Sequence, residues 1–431
     1  MKRIEYPSPA QWQKLVQRPS IKKENLFALV DKVFTDVQSS GDEALRKYSR
    51  EFDRADLKRI EIPMETARKM AESLPSELKQ AIETAKNNVE KFHLSQRETP
   101  QKIETAKGVL CWRESRAIEK VGIYIPGGSA PLFSTVLMLA VPAKIAGCKE
   151  IILCSPPDAG GNIHPAILFA AVLVGVTRIF AVGGIQAIGA MVFGTESVPK
   201  VDKIFGPGNQ YVMAAKQAAQ LQGAAIDMPA GPSEVLIIAD KSCVPAFVAA
   251  DLLSQAEHGA DSQVVLLSDN NSVINEICDE IKVQLQQLPR KEIADKALAN
   301  STAILLGDMA SCIAFSNVYA PEHLILAVEN AESVIGEISN AGSVFLGNFS
   351  CESAGDYASG TNHTLPTSGF AKAYSGVSLD SFIKKITFQR LSAEGLKTIG
   401  AAIETMAGAE QLEAHKNAVS LRLKQINKLE K

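Results

Sequence analysis

The 431-residue sequence has neither an excess of charge of one sign nor a long apolar run, and both absences narrow the class of ligand. Lysine and arginine together number 45 against 48 for aspartate and glutamate, which gives a formal net charge of −3. Electrostatic binding of nucleic acids or anionic membranes needs clustered positive charge, and this balance gives no case for either partner. The longest apolar run, from Ala166 to Val176, is too short to cross a bilayer and predicts a buried helix. A small-molecule ligand is therefore expected.

Cysteine is scarce, and the seven cysteines form no CxxC pair and no dense framework. They are scattered along the chain, at Cys111, Cys148, Cys154, Cys243, Cys278, Cys312 and Cys351. An odd, dispersed set in a long chain, with no apolar segment after the basic N-terminus, predicts reduced thiols in a cytoplasmic protein. Cys148 and Cys154 could act as nucleophiles toward an aldehyde, but their apolar neighbours favour buried, unreactive thiols.

From about residue 121 onward, short apolar runs alternate with helical stretches. Eight runs predict strands, at residues 121–125, 150–154, 178–182, 203–205, 235–239, 264–267, 303–306 and 343–346. Most are separated by segments long enough for a crossover helix, which predicts an α/β fold with parallel sheets covered by helices. Residues 1–108 and 391–428 are helix-patterned, and the length of the chain predicts more than one domain.

The GxGxxG fingerprint of dinucleotide-binding folds is absent. The nearest segment, residues 206–211, has Tyr211 in place of the last glycine and Pro207 within its turn. Glycine-rich turns nevertheless follow three predicted strands, at residues 125–129, 182–186 and 205–209. Ligands of open α/β sheets bind at the carboxyl ends of strands, where such turns lie. Each turn could equally be a tight strand-to-helix connection, because glycine commonly serves that need.

Histidine is also uncommon, and four of the six histidines lie after residue 250. Gln255 and His258 are three residues apart in a helical pattern, so both side chains share one helix face. Asp356 lies among small residues, and His415 lies in a helical segment five residues after Glu410. Two imidazoles, one carboxylate and one amide oxygen suit zinc and leave positions open for a substrate. The alternatives are a helix-capping His258 and solvated surface residues.

Glu322 and His323 are adjacent and follow a Tyr-Ala-Pro segment. Neighbouring carboxyl and imidazole groups with different pKa values suit acid–base chemistry, in which one group takes a hydroxyl proton and the other activates water. The alternative is an exposed loop pair that has no chemical role, and the dipeptide alone favours that alternative.

Six segments, in the same order, resemble the histidinol dehydrogenase family, and the resemblance extends over essentially the whole chain. They are residues 121–132, 205–209, 225–234, 253–259, 321–324 and 354–363. The resemblance implies an enzyme that oxidises L-histidinol through L-histidinaldehyde to L-histidine, the last steps of histidine biosynthesis, and consumes two NAD and one water. It also implies a homodimer with an intertwined interface and shared active sites.

The resemblance also assigns site residues by position. The zinc ligands that it implies, with one ion per subunit, are Gln255, His258, Asp356 and His415. These ligands would also contact the substrate, together with Ser233, His323 and Glu410. The NAD contacts that it implies are Tyr124, Gln186 and Asn209. Glu410 and His415 would reach the active site of the partner subunit, while His323 removes the hydroxyl proton and Glu322 activates water.

Rossmann-like sheet domains that bind NAD without the usual fingerprint are a further implication of the resemblance. One sheet domain would span residues 124–234, and a discontinuous one would combine residues 21–123 with 235–377. Residues 1–20 would form a helical N-terminal segment, and residues 378–431 would form a helical C-terminal segment.

Two other functions are alternatives to the dehydrogenase, and each can be distinguished from it. A zinc hydrolase, in which Glu322 drives a metal-bound water onto an amide or ester, needs no nucleotide. A non-catalytic member kept for binding or assembly would be expected to lack Glu322, His323 or a zinc ligand, and all of these residues are present.

Overall fold

The computed structural model describes residues 1–18, 24–127, 131–229 and 231–429. Gly128, Ser129, Ala130 and Ala230 of the motifs above, and the predicted boundary between residues 20 and 21, lie outside the described residues. The chain divides into two compact units, of which the first is Met1–Gln96 with Ile118–Phe382 and the second is Arg97–Ala117 with Ile383–Lys431. Within the described ranges, none of the helices has the length and apolar character that crossing a membrane requires.

Strands occur in both units. In chain order they are β1 (Lys2–Glu5), β2 (Glu61–Ile62), β3 (Lys102–Ala106), β4 (Val109–Ala117), β5 (Lys120–Tyr124), β6 (Glu150–Ser155), β7 (Arg178–Ala181), β8 (Lys203–Phe205), β9 (Ala225–Ile226), β10 (Glu234–Ala239), β11 (Gln263–Ser268), β12 (Thr302–Leu305), β13 (His323–Ala327), β14 (Ser343–Leu346) and β15 (Ile383–Leu391). All eight predicted strands are present. Another apolar run, which is not among the eight, forms β13, and β13 pairs with β10.

Helices connect most of these strands. In chain order they are α1 (Pro9–Leu15), α2 (Glu24–Tyr48), α3 (Met64–Ala71), α4 (Ser76–Leu94), α5 (Phe133–Ala146), α6 (Pro165–Val174), α7 (Gly184–Phe193), α8 (Gln210–Leu221), α9 (Pro245–Ala256), α10 (Asn271–Leu285), α11 (Lys291–Ala299), α12 (Met309–Tyr319), α13 (Glu352–Tyr357), α14 (Ala393–Ala409) and α15 (Glu413–Leu429). Short helical turns lie at Ser49–Asp53, Ala331–Glu337, Phe370–Lys372 and Leu379–Phe382. The longest apolar run forms α6, a largely buried helix as predicted.

The first sheet has the strand order β1-β12-β11-β10-β13-β14 and is parallel throughout. Its central strands β10 and β11 are buried along their whole length, which is typical of parallel strands covered by helices on both faces. Side chains alternate between the faces, so Val235 and Ile237 pack with α9 and α10, whereas Leu236 and Ile238 pack with α12. This two-sided burial fixes the register of the strands and the position of the residues that precede them.

The second sheet has the strand order β2-β7-β6-β5-β8-β9 and is parallel except for the short edge strand β2. Val33, Ile82 and Val89, from α2 and α4, share one hydrophobic core with Ile123 of this sheet. The helices from residue 24 onward therefore pack on the second sheet, which differs from the predicted grouping of residues 21–123 with 235–377. The predicted domain division as a whole stays a proposal. Helix-covered parallel sheets confirm the α/β fold class.

The second unit contains an antiparallel sheet, with the strand order β15-β4-β3, and the helices α14 and α15. The two helices confirm the helical pattern of residues 391–428, but β15 is a strand within a segment predicted to be helical. Most side chains of β15 are exposed or half-buried, and charged residues interrupt its apolar ones. A strand of this kind leaves no apolar run in the sequence.

At the turn after β8 in the second sheet, the main chain of Gly206 lies close to that of Tyr124, and this contact predicts the effect of a substitution. Gly206 follows β8 with a φ of 132°, and a Cβ atom there would overlap the carbonyl group of Tyr124. Gly223 also has a positive φ, of 88°, but has open space around it. We expect Gly223→Ala to cost about 1–2 kcal/mol for the left-handed conformation, and Gly206→Ala to cost clearly more. Chemical denaturation of both variants measures the difference, and equal losses would show that the close approach places no constraint on the turn.

Candidate active site

A cavity of about 1490 Å³ in the first unit is lined by residues of both sheets. Tyr124, Gly184 and Asn209 line it from the carboxyl ends of β5, β7 and β8, in the second sheet. Ser233 and His258 line it from segments that precede β10 and β11, in the first sheet. Ligand pockets commonly have volumes of about 300–1,000 Å³, so this central cavity can hold a cofactor and a substrate together.

The predicted acid–base pair lies at the amino edge of the first sheet. Glu322 directly precedes β13, and His323 is the first residue of β13 and pairs in register with Val235. Ligands of open α/β sheets bind at the carboxyl ends of strands, and the second sheet follows this rule. The first sheet instead supplies site residues from the amino ends of its strands. Both edges contribute to one site because the central cavity is lined from each of them.

Glu322 is a buried carboxyl group with a defined hydrogen bond. The main-chain N–H of Glu234 donates to Glu322 Oε2 at 2.8 Å, and the main-chain carbonyl of Glu322 accepts from Ser343 N at 2.9 Å. Burial raises the pKa of Glu322 to about 8, although the neighbouring His323 opposes the rise. Glu322 is 6% exposed and His323 is 4% exposed, which rules out the alternative of an exposed loop pair.

His323 is oriented by main-chain and carboxylate groups. Its Nδ1 lies 3.2 Å from the carbonyl oxygen of Glu234, and because a carbonyl only accepts, Nδ1–H donates there. Among the described residues its Nε2 has no hydrogen-bond partner, and it lies 3.7 Å from Asp356 Oδ1. Burial lowers the pKa of His323, but the Glu352 and Glu322 carboxylates outweigh burial and raise the pKa to about 10. The free Nε2 is the atom available for proton transfer.

Three potential metal ligands gather beside His323, and we name them the His258 cluster: His258, Glu352 and Asp356. One ligand atom from each lies within 4.8 Å of the others. Sequence reasoning included His258 and Asp356 but missed Glu352, which is buried at the start of α13. The spacing could have identified it, because Glu352 precedes Asp356 by four residues and both side chains therefore share one helix face. Burial raises the pKa of Glu352 well above its usual value.

Gln255, the predicted amide ligand, contacts Glu322 and His323. It is buried in the last turn of α9, and its Nε2 lies 3.5 Å from Glu322 Oε2 and 3.4 Å from His323 Nδ1. Glu352 Oε2 is buried and has no hydrogen-bond partner within the part of the chain that the structure describes. Such a group is uncommon in proteins and marks a place where a ligand would complete the site. Imidazole, carboxylate and amide donors together fit a divalent metal such as zinc.

His363 has a different role from the ligand candidates. Its Nδ1 donates to the main-chain carbonyl of Asp356 at 2.8 Å, and its Nε2 lies 3.0 Å from the hydroxyl of Thr135 on α5. Both ring nitrogens therefore have partners, and the side chain fixes the C-terminal part of α13 against α5.

The three predicted NAD residues occupy different positions at the second sheet. Tyr124 and Asn209 line the central cavity, where the Tyr124 hydroxyl accepts from Gly184 N at 3.2 Å and Asn209 caps α8. Gln186 is fully buried and is not among the residues that line the cavity. Neither its amide oxygen nor its amide nitrogen has a hydrogen-bond partner in residues 24–127, 131–229 and the other described ranges. It lies close behind Gly184, whose Cβ position would meet Gln186 Oε1 at 2.8 Å.

Glu410 and His415 belong to the second unit. Glu410 ends α14 and His415 lies in α15, and both side chains are exposed. The predicted single helical segment is broken between them, because Gln411 has a φ of 59°. Their predicted contacts with zinc and substrate stay a prediction.

Cys148 and Cys154 are both buried. Burial raises the pKa of Cys148 to about 11 and raises that of Cys154 further. Because the thiolate is the reactive form, these shifts disfavour a thiol nucleophile and support the prediction of unreactive thiols.

A metal-binding measurement tests the position of Glu352. We expect Glu352→Gln to weaken zinc binding about 10- to 100-fold, as loss of a carboxylate beside a metal commonly does. Glu257→Gln is the matched control, because Glu257 directly precedes His258 but is outside the His258 cluster. Competition with a chelator gives the Kd for zinc, and equal Kd values for the two variants would remove Glu352 from the metal site.

Comparisons with known proteins agree with the resemblance. The model of the family described as Histidinol dehydrogenase matches residues 16–423. The chain is 59% identical to the histidinol dehydrogenase of Bacteroides thetaiotaomicron, over 98% of this chain and 99% of that protein, and 52% identical to that of Escherichia coli K12, over 96% and 95%. The crystal structure of histidinol dehydrogenase from Elizabethkingia anophelis superposes with a TM-score of 0.97 at 60% identity, covering 99% of both chains. The chain therefore belongs to the histidinol dehydrogenase family.

Proposed function

We propose that the chain oxidises L-histidinol through L-histidinaldehyde to L-histidine, consuming two NAD and one water in the last steps of histidine biosynthesis. The observation that carries the proposal is the proximity of the buried Glu322–His323 pair to the His258 cluster, where His323 Nε2 lies 3.7 Å from Asp356 Oδ1. Acid–base groups beside metal ligands suit the oxidation of an alcohol whose position a metal fixes. Membership of the histidinol dehydrogenase family supports the same reaction.

Gln255, His258 and Asp356 would hold one zinc ion per subunit, together with His415 of the partner subunit. Glu352 adds a further carboxylate to the same cluster. When bound, zinc supplies a positive centre that binds the imidazole and amino nitrogens of the substrate and holds the alcohol carbon in place. Exposure of His415 on α15 supports a role toward a second subunit, because such a ligand must be accessible.

NAD would bind in the central cavity at the carboxyl edge of the second sheet, where it supplies the hydride acceptor. Tyr124 and Asn209 line that edge, and so does the N-terminal turn of α7 at Gly184, where a helix N-terminus favours a bound phosphate. The amide of Gln186, which has no partner among the residues that the structure describes, lies directly behind this turn. This arrangement does not need the GxGxxG fingerprint.

In the first oxidation, His323 would accept the hydroxyl proton of the substrate at Nε2 while hydride leaves the same carbon for NAD. The hydrogen bond from Nδ1–H to the Glu234 carbonyl orients the ring for this transfer. The raised pKa of His323 means that the ring holds a proton while the Glu352 and Glu322 charges are uncompensated. A zinc ion held by the Asp356 and Glu352 carboxylates would offset their negative charge. The pKa of His323 would then fall, and its Nε2 could act as a base.

In the second oxidation, Glu322 would accept a proton from the water that adds to the aldehyde carbon. The resulting hydroxide would bond to that carbon as the carbonyl π bond breaks, which gives a hydrate anion. Loss of hydride from this anion to a second NAD would give the carboxylic acid of L-histidine, which releases its remaining proton to become the carboxylate. Burial raises the pKa of Glu322 to about 8, near neutral pH, where a general acid or base works most effectively.

The remaining proposed contacts concern the substrate and the assembly. Ser233 lines the central cavity, which supports its contact with the substrate. Glu410 of the partner subunit would complete the pocket of a homodimer with shared active sites. The seven free cysteines agree with a reducing cytoplasm as the place of action.

An assay with L-histidinol and NAD tests the proposal directly. We expect NADH absorbance to rise, to disappear after chelation and to return when zinc is restored, because the substrate is held through the metal. Hydrolysis of an amide or ester without any nucleotide would instead identify a zinc hydrolase. Absence of NADH formation under every metal condition, in a folded protein, would contradict the proposed function.

Substitution of Glu322 separates the two oxidations. We expect Glu322→Gln to slow the aldehyde step by about 10²–10⁴, the usual contribution of a general base, and to slow the alcohol step far less. Single-turnover experiments started from either L-histidinol or L-histidinaldehyde measure the two rates separately. Glu329→Gln is the control, since Glu329 is exposed just beyond the other end of β13. Equal slowing of both steps by Glu322→Gln would contradict this division of roles.

A further inference from the structure

We infer that Arg18 and Glu234 are positioning residues that hold Glu322 and His323 in place. The inference rests on the proposed roles of Glu322 and His323. It is carried by a buried hydrogen-bond network that joins the N-terminal segment to the amino edge of the first sheet. Glu234 belongs to the segment 225–234, but the proposed reaction gives its side chain no task.

The main chain of Glu234 contacts both members of the acid–base pair. Its N–H donates to Glu322 Oε2 at 2.8 Å, and its carbonyl oxygen accepts from His323 Nδ1 at 3.2 Å. A shift of this one peptide segment would therefore move a hydrogen-bond partner of Glu322 and a partner of His323 together. The position of the Glu234 main chain sets the geometry of the pair.

The side chain of Glu234 fixes that main chain from the other side. Its carboxylate is buried, with 1% exposure, and accepts two hydrogen bonds from the guanidinium of Arg18: Nε to Oε1 and Nη2 to Oε2, both at 2.9 Å. A third hydrogen bond comes from Ser368 N at 2.8 Å. Two-point pairing of this kind fixes orientation as well as distance, which a lysine cannot reproduce.

The same guanidinium holds the segment that leads to Glu322. Arg18 Nη2 donates to the main-chain carbonyl of Tyr319 at 2.8 Å, and the guanidinium carbon lies 3.6 Å from the centre of the Tyr319 ring. Ala320 follows with a φ of 54°, a conformation that residues other than glycine rarely adopt and that surrounding contacts must maintain. Arg18 thus joins the start of β10 to the segment before β13. We name this arrangement, Arg18 with Glu234 and Tyr319, the Arg18 clamp.

A conservative substitution tests the clamp against a closely matched pair. Arg18→Lys keeps the charge but loses the two-point geometry. Arg178→Lys is the control, because Arg178 pairs with Glu61 through Nε at 3.0 Å and Nη2 at 2.8 Å and also donates to a main-chain carbonyl, that of Ser197. That pair lies at β2 and β7, at one edge of the second sheet. Glu234→Gln and Glu61→Gln form a second matched set, and thermal unfolding verifies that the variants are folded.

Kinetics give the first readout. We expect Arg18→Lys to lower kcat about 10- to 100-fold, because misplacing a reacting group by about 1 Å can cost about 100-fold. KM for L-histidinol and for NAD should stay within about threefold, because the lost interaction matters in the transition state rather than in uniform binding. Arg178→Lys should leave kcat within about threefold of the unmodified protein. A fall in kcat no larger than that of Arg178→Lys, or a rise in KM alone, would overturn the inference.

Hydrogen exchange gives the second readout, and it does not depend on activity. We expect amide exchange in residues 319–324 to be faster in Arg18→Lys and unchanged in Arg178→Lys, because only the first variant releases that segment. Unchanged exchange in Arg18→Lys would overturn the clamp even if kcat fell. If the unmodified protein formed no NADH, the proposed function would fail, and the exchange data alone would decide whether the clamp holds the segment.

Discussion

Burial of negative charge at the amino edge of the first sheet is the constraint on which the site depends. Glu234, Glu322 and Glu352 are each at most 6% exposed. A carboxylate in such surroundings needs a cation, hydrogen-bond donors or a proton. The structure meets this need differently for each group. Arg18 pairs with Glu234, and burial raises the pKa of Glu322, which favours its neutral form. Glu352 has one carboxyl oxygen that no described residue contacts through a hydrogen bond. That last group is the one available to a metal.

The carboxyl edge of the second sheet, where NAD is proposed to bind, and the amino edge of the first sheet, where Glu322 and His323 lie, contribute to one site. The second sheet contributes its carboxyl ends, with Tyr124 and Asn209, and the first sheet contributes its amino ends, through Ser233 and the segment at His258. Both edges line one cavity of about 1490 Å³. Hydride transfer requires donor and acceptor carbons in contact, and a cavity lined from both edges meets that requirement.

The sequence predicted the α/β fold well where strands are buried, because strands such as β10 leave uninterrupted apolar runs. It failed for β15, whose half-exposed strand carries charged residues among its apolar ones. At the site, Glu322 and His323 were identified as a chemical pair, but nothing in the dipeptide indicates burial. Arg18 could not be linked to Glu234, since 216 residues separate them and only the folded chain brings the two together.

The central claim is that the His258 cluster holds a metal beside the proton-transferring Nε2 of His323. Anomalous diffraction at the zinc absorption edge, from crystals grown with zinc, tests it most directly. The account predicts a peak about 2.0–2.2 Å from the ligand atoms of His258 and Asp356. A zinc-saturated, folded protein with no peak at His258 and Asp356, or with zinc bound only elsewhere, would contradict the account.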